Sequence, residues 1–296
     1  MFSVLRDNLV VVLGTFFWST GLPIIDHLLG RWDFYSLATA RAMIAGVFLF
    51  VLSFALTRTL PSGSLVFKAS LIGLSTYGVS AACLVIGLGH SDPVTAAIIV
   101  TLIPVISAVM DVATRKRRVT WRLSAALGLS VTGGIVATLQ PEQLNLVFGF
   151  GELALLTAMV AFVLYSRSVV SFLSDAPQLS VLSIATLSGA LGLLVLTFIA
   201  HGLGEVRRID FSTDSLLLLL FLGVFSMGIS IRLWMYGAQK LGVTVAALHQ
   251  NLTPAWVMLI MLVLGHGFSW QKVAGGVLVV TAAVIAQFQA VELSAS

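Results

Sequence analysis

The stretch GLSTYGVSAACLVIG at residues 73–87 recurs as GVFSMGISIRLWMYG at residues 223–237, an offset of 150 residues. A duplication of this kind in a strongly apolar chain is typical of secondary transporters, which are often built from two related membrane bundles. We therefore expect two repeats, over residues 1–140 and 147–290. Further identities at this offset, or at one residue less, pair Pro104 with Pro254 and Trp121 with Trp270.

The composition points to lipid as the solvent of this chain. Charged residues make up 9% and apolar residues 58% of the sequence, whereas charged residues reach roughly 25% in soluble domains. The mean hydropathy is +1.06. The single cysteine, Cys83, excludes an intramolecular disulfide and is expected to be a buried thiol. Because the N-terminus lacks a cleavage pattern, we expect its first apolar segment to be retained.

Apolar segments long enough to cross a bilayer, which takes roughly 20 residues, occur throughout the chain. We expect an all-α integral membrane protein with ten transmembrane helices, the first interrupted by Pro23. The loops are too short to hold a soluble domain. The predicted segments are 7–29, 33–57, 65–88, 93–113, 121–139, 147–173, 178–201, 213–239, 242–265 and 271–290.

The distribution of basic residues predicts the orientation. If the N-terminus is cytoplasmic, ten Lys and Arg residues lie in inner loops and four in outer loops, as the positive-inside rule favours. Arg115–Arg118 dominate this count. Both termini are then cytoplasmic and the protein is a multi-pass inner-membrane protein. Since each half holds five helices, the halves are inverted repeats, which suits alternating access around a site near the midplane.

Polar and aromatic residues on the third and eighth segments suit a solute cavity. Tyr77 and Ser80 share a helix face, and their counterparts 150 residues later are Met227 and Ser230, with Trp234 one turn on. Close helix packing would explain the same small and hydroxyl residues. The glycines of both stretches are expected to permit close packing or flexing of the helices.

The fourth and ninth segments contain Pro104 and Pro254, which remove a backbone donor and are predicted to act as hinges. The residues before Pro254 are far more polar than those before Pro104, so polar recognition is expected mainly from the second half. His249 and Asn251 are candidate contacts to the solute. For His249, a structural hydrogen bond and a proton relay are the alternatives.

Four other residues are candidate substrate contacts. Trp18 and Ser19 lie in the irregular first segment, where a cavity wall competes with core packing. Tyr165 lines a cavity or belongs to an interfacial aromatic belt. Arg41 lies about eight residues into the second segment. Its guanidinium either binds a solute carboxylate, extends to the membrane interface, or donates to backbone carbonyls. No Asp or Glu lies at a segment centre, which favours facilitated diffusion or exchange unless His249 carries a proton.

The chain resembles the drug/metabolite transporter superfamily in its EamA-type ten-helix branch, and the resemblance covers essentially the whole sequence. It departs from the family at 265–266, where Gly-His replaces a frequent Gly-Glu pair. Its features are the two five-helix halves, Trp18, Arg41, the helix ends 86–90 and 236–240, Pro104, Pro254, and the glycine-rich ends 132–134 and 274–276.

The resemblance implies export of amino acids or related metabolites. The run Trp18-Ser19-Thr20 together with Tyr77 is similar to the YddG-type exporters of aromatic amino acids. Similarity to that subgroup implies that three aromatic side chains stack on the solute: Trp18, Tyr77 and Trp234. His249 and Asn251 would then hold its amino or carboxylate group.

Several alternatives stay open at this point. Within transport, the solute could be a nucleoside, a sugar or a lipophilic cation, although a cation carrier would be expected to hold a midmembrane Glu. Different classes are a lipid-modifying membrane enzyme and a non-transporting assembly subunit. We expect no enzyme activity, no cofactor and no metal. The expected partners are a small-molecule substrate and membrane lipid, with no nucleic acid. The oligomeric state is open, and a monomer is compatible with the sequence.

Overall fold

The structure is a computed structural model that describes residues 2–90, 99–114, 120–138, 149–172 and 176–265, with short pieces of 270–285. Every regular element in these described residues is helical. The helices are α1 (Phe2–Leu29), α2 (Phe34–Thr57), α3 (Gly63–Ile72), α4 (Val79–His90), α5 (Ile103–Ala113), α6 (Trp121–Thr138), α7 (Phe150–Phe172), α8 (Gln178–Gly202), α9 (Thr213–Phe221), α10 (Ser230–Leu241), α11 (Val243–Gln250) and α12 (Thr253–Val263).

Six helices in the described part are long and apolar enough to cross a membrane, which makes the chain a multi-pass membrane protein. Four more predicted segments are described only in part or as shorter helices. Segment 93–113 is represented by α5, segment 121–139 by α6, and segment 242–265 by α11 and α12. Most of segment 271–290 lies outside the described residues. The six long spans are Val4–Leu29, Phe34–Thr57, Gly63–Gly87, Phe150–Ser171, Gln178–Gly202 and Thr213–Leu241.

The first helix is continuous through Pro23, so the prediction that this proline interrupts it is wrong. Proline is tolerated inside membrane helices because neighbouring helices and hydroxyl side chains satisfy the freed backbone groups. The hydroxyls of Ser19 and Thr20 donate to the carbonyls of Thr15 and Phe17, at 2.7 Å and 2.6 Å. Local side-chain hydrogen bonds of this kind are common where a membrane helix bends away from ideal geometry.

Two π-helical segments interrupt the third and eighth spans at corresponding places. The first π segment runs over Gly73–Gly78 and joins α3 to α4, and the second runs over Leu222–Ile229 and joins α9 to α10. A Cβ on Gly73 would lie 2.2 Å from the carbonyl oxygen of Ala185 in α8. A Cβ on Gly223 would lie 2.4 Å from Cγ2 of Ile44 in α2. Glycine is therefore required at both positions for the observed helix spacing.

The packing of the two halves is reciprocal. The first π segment packs on α8 and the second on α2, while α4 packs on α7 and α10 on α1. The helices α2 and α8 form the most extensive pair and approach each other closely at Gly46, where a Cβ would lie 2.8 Å from Leu187 Cδ2. Each half thus supplies the elements that cover the corresponding elements of the other half.

Aligned positions of the two halves touch each other at two places. The Tyr77 hydroxyl donates to Met227 Sδ at 3.7 Å. The Asn251 Nδ2 donates to the Thr101 carbonyl at 3.5 Å. Both pairs are separated by 150 residues. These two contacts therefore lie where the two halves of the sequence meet.

Charged residues form a cluster at the end of the bundle that holds loops 30–33 and 203–212, which we call the outer end. Asp33 caps α2 by accepting from the Ser36 N–H at 2.9 Å. It also contacts His201 Nε2 at 3.2 Å and accepts from the Arg208 N–H at 3.0 Å. Burial raises the pKa of Asp33, but these hydrogen bonds outweigh it and leave the pKa below its usual range.

A second part of the outer-end cluster joins Arg31 to Asp210 and Asp214. The Arg31 guanidinium lies 2.5 Å from Asp214 and 3.4 Å from Asp210. Hydrogen bonds from Ser212 and Ser215 hold the pKa of Asp210 well below its usual range. Asp214, in the first turn of α9, completes this network through its ion pair with Arg31. Loop 203–212 is thereby tied to the α1–α2 connection.

These lowered pKa values predict acid sensitivity at the outer end. A carboxylate whose folded pKa is depressed contributes stability above its unfolded pKa of about 4 and loses it as the pH falls through the folded pKa. We expect the melting temperature in detergent to drop between about pH 5 and pH 3, and Asp210→Asn to flatten that slope. Glu205→Gln on the same loop is the control. An Asp210→Asn variant with the parent slope would contradict this assignment.

Candidate substrate-binding site

An aromatic cluster lies at the meeting place of the two halves. The rings of Tyr77 and Tyr165 are 5.3 Å apart and tilted by 58°. Tyr77 is 5% exposed and Tyr165 is fully buried. The Tyr77 ring fits against the backbone at Gly189 of α8, where a Cβ would lie 2.4 Å from Cδ1 of the tyrosine. Because Tyr165 is inside the bundle, its interpretation as an interfacial belt residue is wrong.

Two buried hydroxyl groups in this cluster lie beside each other. Tyr165 Oη and Thr186 Oγ1 are close enough to interact, but neither forms a hydrogen bond of standard geometry within the described residues. Buried polar atoms are nearly always paired, so these two hydroxyls have hydrogen-bonding capacity that the bundle uses only weakly. Thr186 carries no signal of this role in the sequence, because a threonine in an apolar helix is ordinarily a packing residue.

Arg41 brings a cation to the same cluster. It lies in α2, one helix turn before Ala45 in the core, and interacts electrostatically with the phenol of Tyr77. The structure gives the Arg41 side chain no hydrogen bond or ion pair within the described residues, and the side chain is only partly buried. Contact of the guanidinium with a solute carboxylate therefore stays a prediction.

The sulfur of Met227 closes one side of the cluster, and Trp234 lies further along the same helical span. The Trp234 ring packs on Phe162 of α7 with 5.9 Å between centroids. Its side chain is 3% exposed, and Nε1 has no hydrogen-bond partner among the described residues. Ser230, also buried, belongs to the contact of α10 with α1, where its carbonyl lies 3.4 Å from the Cβ position of Gly14.

Three predicted contacts occupy packing positions. The Ser80 hydroxyl donates to the Ala158 carbonyl of α7 at 2.9 Å and thereby joins two helices. Ser19 is fully buried and donates to its own helix. The carbonyl of Trp18 accepts from the hydroxyl of Ser226 at 3.3 Å, while its indole is partly exposed. Among these, only the Trp18 side chain has surface left for another molecule.

Asn251 ties three helical segments together. Its Nδ2 donates to Ser130 Oγ at 2.7 Å, to the Ser130 carbonyl at 3.1 Å and to the Thr101 carbonyl at 3.5 Å. His249 is 3% exposed, and its Nδ1 donates to the Val245 carbonyl at 3.0 Å. Both side chains therefore have hydrogen-bond partners within the bundle, and their contact with a solute stays a prediction.

The helices around the two prolines are interrupted in the same way. The Leu102 N–H donates to the Ile99 carbonyl and the Leu252 N–H to the His249 carbonyl, both at 3.0 Å. New helices begin at residues 103 and 253, which places Pro104 and Pro254 in a first turn. The missing N–H of a proline is not needed there. The prolines thus restart helices, and the freed groups belong to the turn before them.

Comparison with known proteins gives a consistent family. The profile of the EamA-like transporter family matches residues 6–139 and again residues 149–287. The curated "Uncharacterized transporter YyaM" of Bacillus subtilis (strain 168) is 26% identical over 203 residues, which is 66% of this chain. The chain spans only 64% of the length of that relative.

A solved crystal structure of another protein has the same fold. It superposes with a TM-score of 0.81 at 19% sequence identity and covers 97% of this chain and 98% of its own. At this identity the likeness concerns the fold alone. The two profile matches, in contrast, account for most of the sequence. The chain therefore belongs to the EamA-like transporter family.

Proposed function

We propose that this transporter exports amino acids, with aromatic and large neutral ones favoured, or related metabolites across the inner membrane. The observation that carries the proposal is Arg41, an intramembrane cation beside Tyr77 that has no carboxylate partner within the described residues. An ionised group at this depth is costly and marks a functional site by default. A solute carboxylate would supply the missing partner through charge-assisted hydrogen bonds.

The aromatic residues support an amino acid with a large side chain. Tyr77 and Tyr165 form one wall at the place where the halves meet, and Trp234 lies further along the second half. Aromatic rings favour offset or tilted stacking with another ring. The hydroxyls of Tyr165 and Thr186 would accept hydrogen bonds from a solute ammonium group. The Arg41 cation, the aromatic rings and the two hydroxyl acceptors together fit an amino-acid zwitterion with an apolar side chain.

The relation between the halves supports alternating access. The family profile matches twice, the packing of the π segments is reciprocal, and two contacts join positions 150 residues apart. We propose that residues 1–140 and 147–290 are inverted five-helix repeats, so that exchanging their conformations moves the opening from one face to the other. The site would then stay fixed on the axis between them, with the helix restarts at Pro104 and Pro254 as hinges.

The acidic residues of the described helices support a facilitative mechanism. These residues lie towards helix ends, so none of them offers a proton or sodium site at the centre of the bundle. They are Asp7, Asp26, Asp111, Glu152 and Asp214. The remaining candidate for proton relay, His249, donates from Nδ1 to its own helix. We therefore propose transport down the solute gradient or by exchange.

Efflux from proteoliposomes tests this function directly. Vesicles loaded with the twenty amino acids are followed by mass spectrometry, with and without a pH gradient. Selective loss of aromatic and large neutral amino acids, insensitive to the gradient, is the expected result. Retention of every amino acid, with efflux of nucleosides from vesicles loaded with them, would overturn the substrate class.

Arg41 is expected to select solutes that carry a carboxylate. In Arg41→Gln, efflux of tryptophan should fall by roughly ten-fold to a hundred-fold, because one or two charge-assisted hydrogen bonds are lost. Tryptamine, which lacks the carboxylate, should be insensitive to the substitution. Arg41→Lys keeps the charge and is the matched control, with an intermediate loss. Equal losses for both solutes would show that Arg41 does not contact the carboxylate.

Tyr165→Phe separates solute contact from folding. The hydroxyl forms no hydrogen bond of standard geometry within the described residues, so its removal should leave the melting temperature unchanged or raised. Amino-acid efflux should fall several-fold if the hydroxyl holds the solute. Ser80→Ala is the matched control: its hydroxyl bonds Ala158, so the variant should lose stability by about 1 kcal/mol and keep its flux per folded molecule. Unchanged efflux in Tyr165→Phe would remove the hydroxyl from the site.

A further inference from the structure

A polar seam lies at the end of the bundle opposite the outer end, where α1 begins, which we call the inner end. Its centre is Asp111 in the last turn of α5. One carboxylate oxygen, Oδ1, forms an ion pair with Arg167 of α7. The other, Oδ2, accepts from the Thr244 hydroxyl of α11 at 2.6 Å. The two oxygens thus bind two different helices of the second half.

The seam extends into the bundle through hydroxyl groups. The Thr244 hydroxyl donates its proton to Asp111. In the 2.8 Å hydrogen bond between Ser107 and Thr244, the Ser107 hydroxyl is therefore the donor and Thr244 Oγ1 the acceptor. Ser107 is fully buried. On the other side Arg167 Nη2 donates to Thr114 Oγ1 at 2.9 Å. The chain of bonds therefore runs along α5 from Thr114 to Ser107, over about two helix turns.

The ion pair is shielded from water. The side chains of Arg167 and Asp111 are 12% and 18% exposed, whereas those of the outer-end pair Arg31 and Asp214 are 39% and 58% exposed. A partly buried pair is screened less than an exposed one, and removing one partner leaves an uncompensated charge in a poorly hydrated place. The seam is therefore the stronger of the two electrostatic ties.

The repeat register gives the seam no polar counterpart at the outer end. At the 150-residue offset Asp111 corresponds to Met261, Ser107 to Val257 and Thr244 to Val94. All three counterparts are apolar. If the halves exchange conformations, closure of the outer end would form no hydrogen-bonded carboxylate at these three positions, so the seam would have no counterpart there. The two closed states are therefore unequal in electrostatic energy.

We propose that Asp111, Arg167 and Thr244 form a gate that holds the inner end closed and biases the resting carrier towards the conformation open at the outer end. The gate rests on the proposed function in one respect, the alternation of access between the two faces. It joins α5 of the first half to α7 and α11 of the second, so the inner end cannot open between these helices while the seam is intact. It regulates access to the site without contacting the solute.

A distance measurement across the inner end tests the gate without any solute. Spin labels are placed at Ala113→Cys, which ends α5, and at Lys240→Cys, near the start of α11, in a Cys83→Ser background. Pulsed electron paramagnetic resonance then gives the distribution of distances in nanodiscs. Asp111→Asn and Arg167→Gln should raise the ratio of the long-distance to the short-distance population by roughly ten-fold or more. The double variant Asp111→Arg, Arg167→Asp should restore the parent distribution.

Two further variants complete the design. Asp214→Asn removes the shorter of the two Arg31 ion pairs at the outer end and should leave the inner-end distribution as in the parent. Thr244→Val, which preserves the charges, should give a smaller shift in the same direction and serves as the readout where a charge variant fails to fold. Parent-like distributions in Asp111→Asn and Thr244→Val would overturn the gate. A shifted distribution without amino-acid efflux would instead contradict the proposed substrate class and leave the gate standing.

Discussion

The remaining structure depends on the close approach of the two halves at two glycine residues, one in each π segment. Gly73 and Gly223 lie against α8 and α2 so tightly that even a Cβ would overlap with the opposing helix. In lipid, apolar side chains gain nothing by leaving the solvent for a protein interior, so packing at short range supplies much of the association between helices. The π segments that contain these glycines add one residue to a helical turn and thereby redirect the side chains that follow.

The aromatic cluster follows from this contact. Tyr77 lies inside the first π segment and fits against Gly189, so its ring is pressed towards Tyr165 and its hydroxyl towards Met227. Arg41, on the helix that covers the second π segment, lies near enough to the phenol of Tyr77 to interact with it electrostatically. Elements that create the interface between the halves also position the groups proposed to bind the solute, which links the binding site to any relative motion of the halves.

The sequence predicts much of the fold because its signals are coarse and repeated. Length and apolarity indicate the long helices, and the 150-residue offset indicates corresponding elements in the two halves. The site is less accessible to such reasoning. The polarity of His249 and Asn251 suggested solute contacts, yet their bonds go to Val245, Ser130 and Thr101. Polarity alone does not show whether a side chain meets a solute or another helix.

Some residues were missed because only three-dimensional proximity reveals them. Thr186 gains interest through its position beside Tyr165, and no spacing rule connects the two. Asp111 and Arg167 are 56 positions apart in the sequence, yet they join two helices of the bundle. Pro23 was expected to break α1 by local chemistry, while the neighbouring elements keep the helix continuous.

The one-sided seam has a kinetic consequence for a facilitative carrier. A preference for one closed state cannot move solute against its gradient, because the net free-energy change of a transport cycle does not depend on the energies of the intermediate conformations. It can, however, make the two faces of the protein unequal. The face that the resting carrier presents would show the lower half-saturation concentration, since less of the binding energy is used to shift the conformational equilibrium. Maximal rates in the two directions would differ by the same ratio as the half-saturation concentrations. The quotient of maximal rate and half-saturation concentration would therefore be equal in both directions.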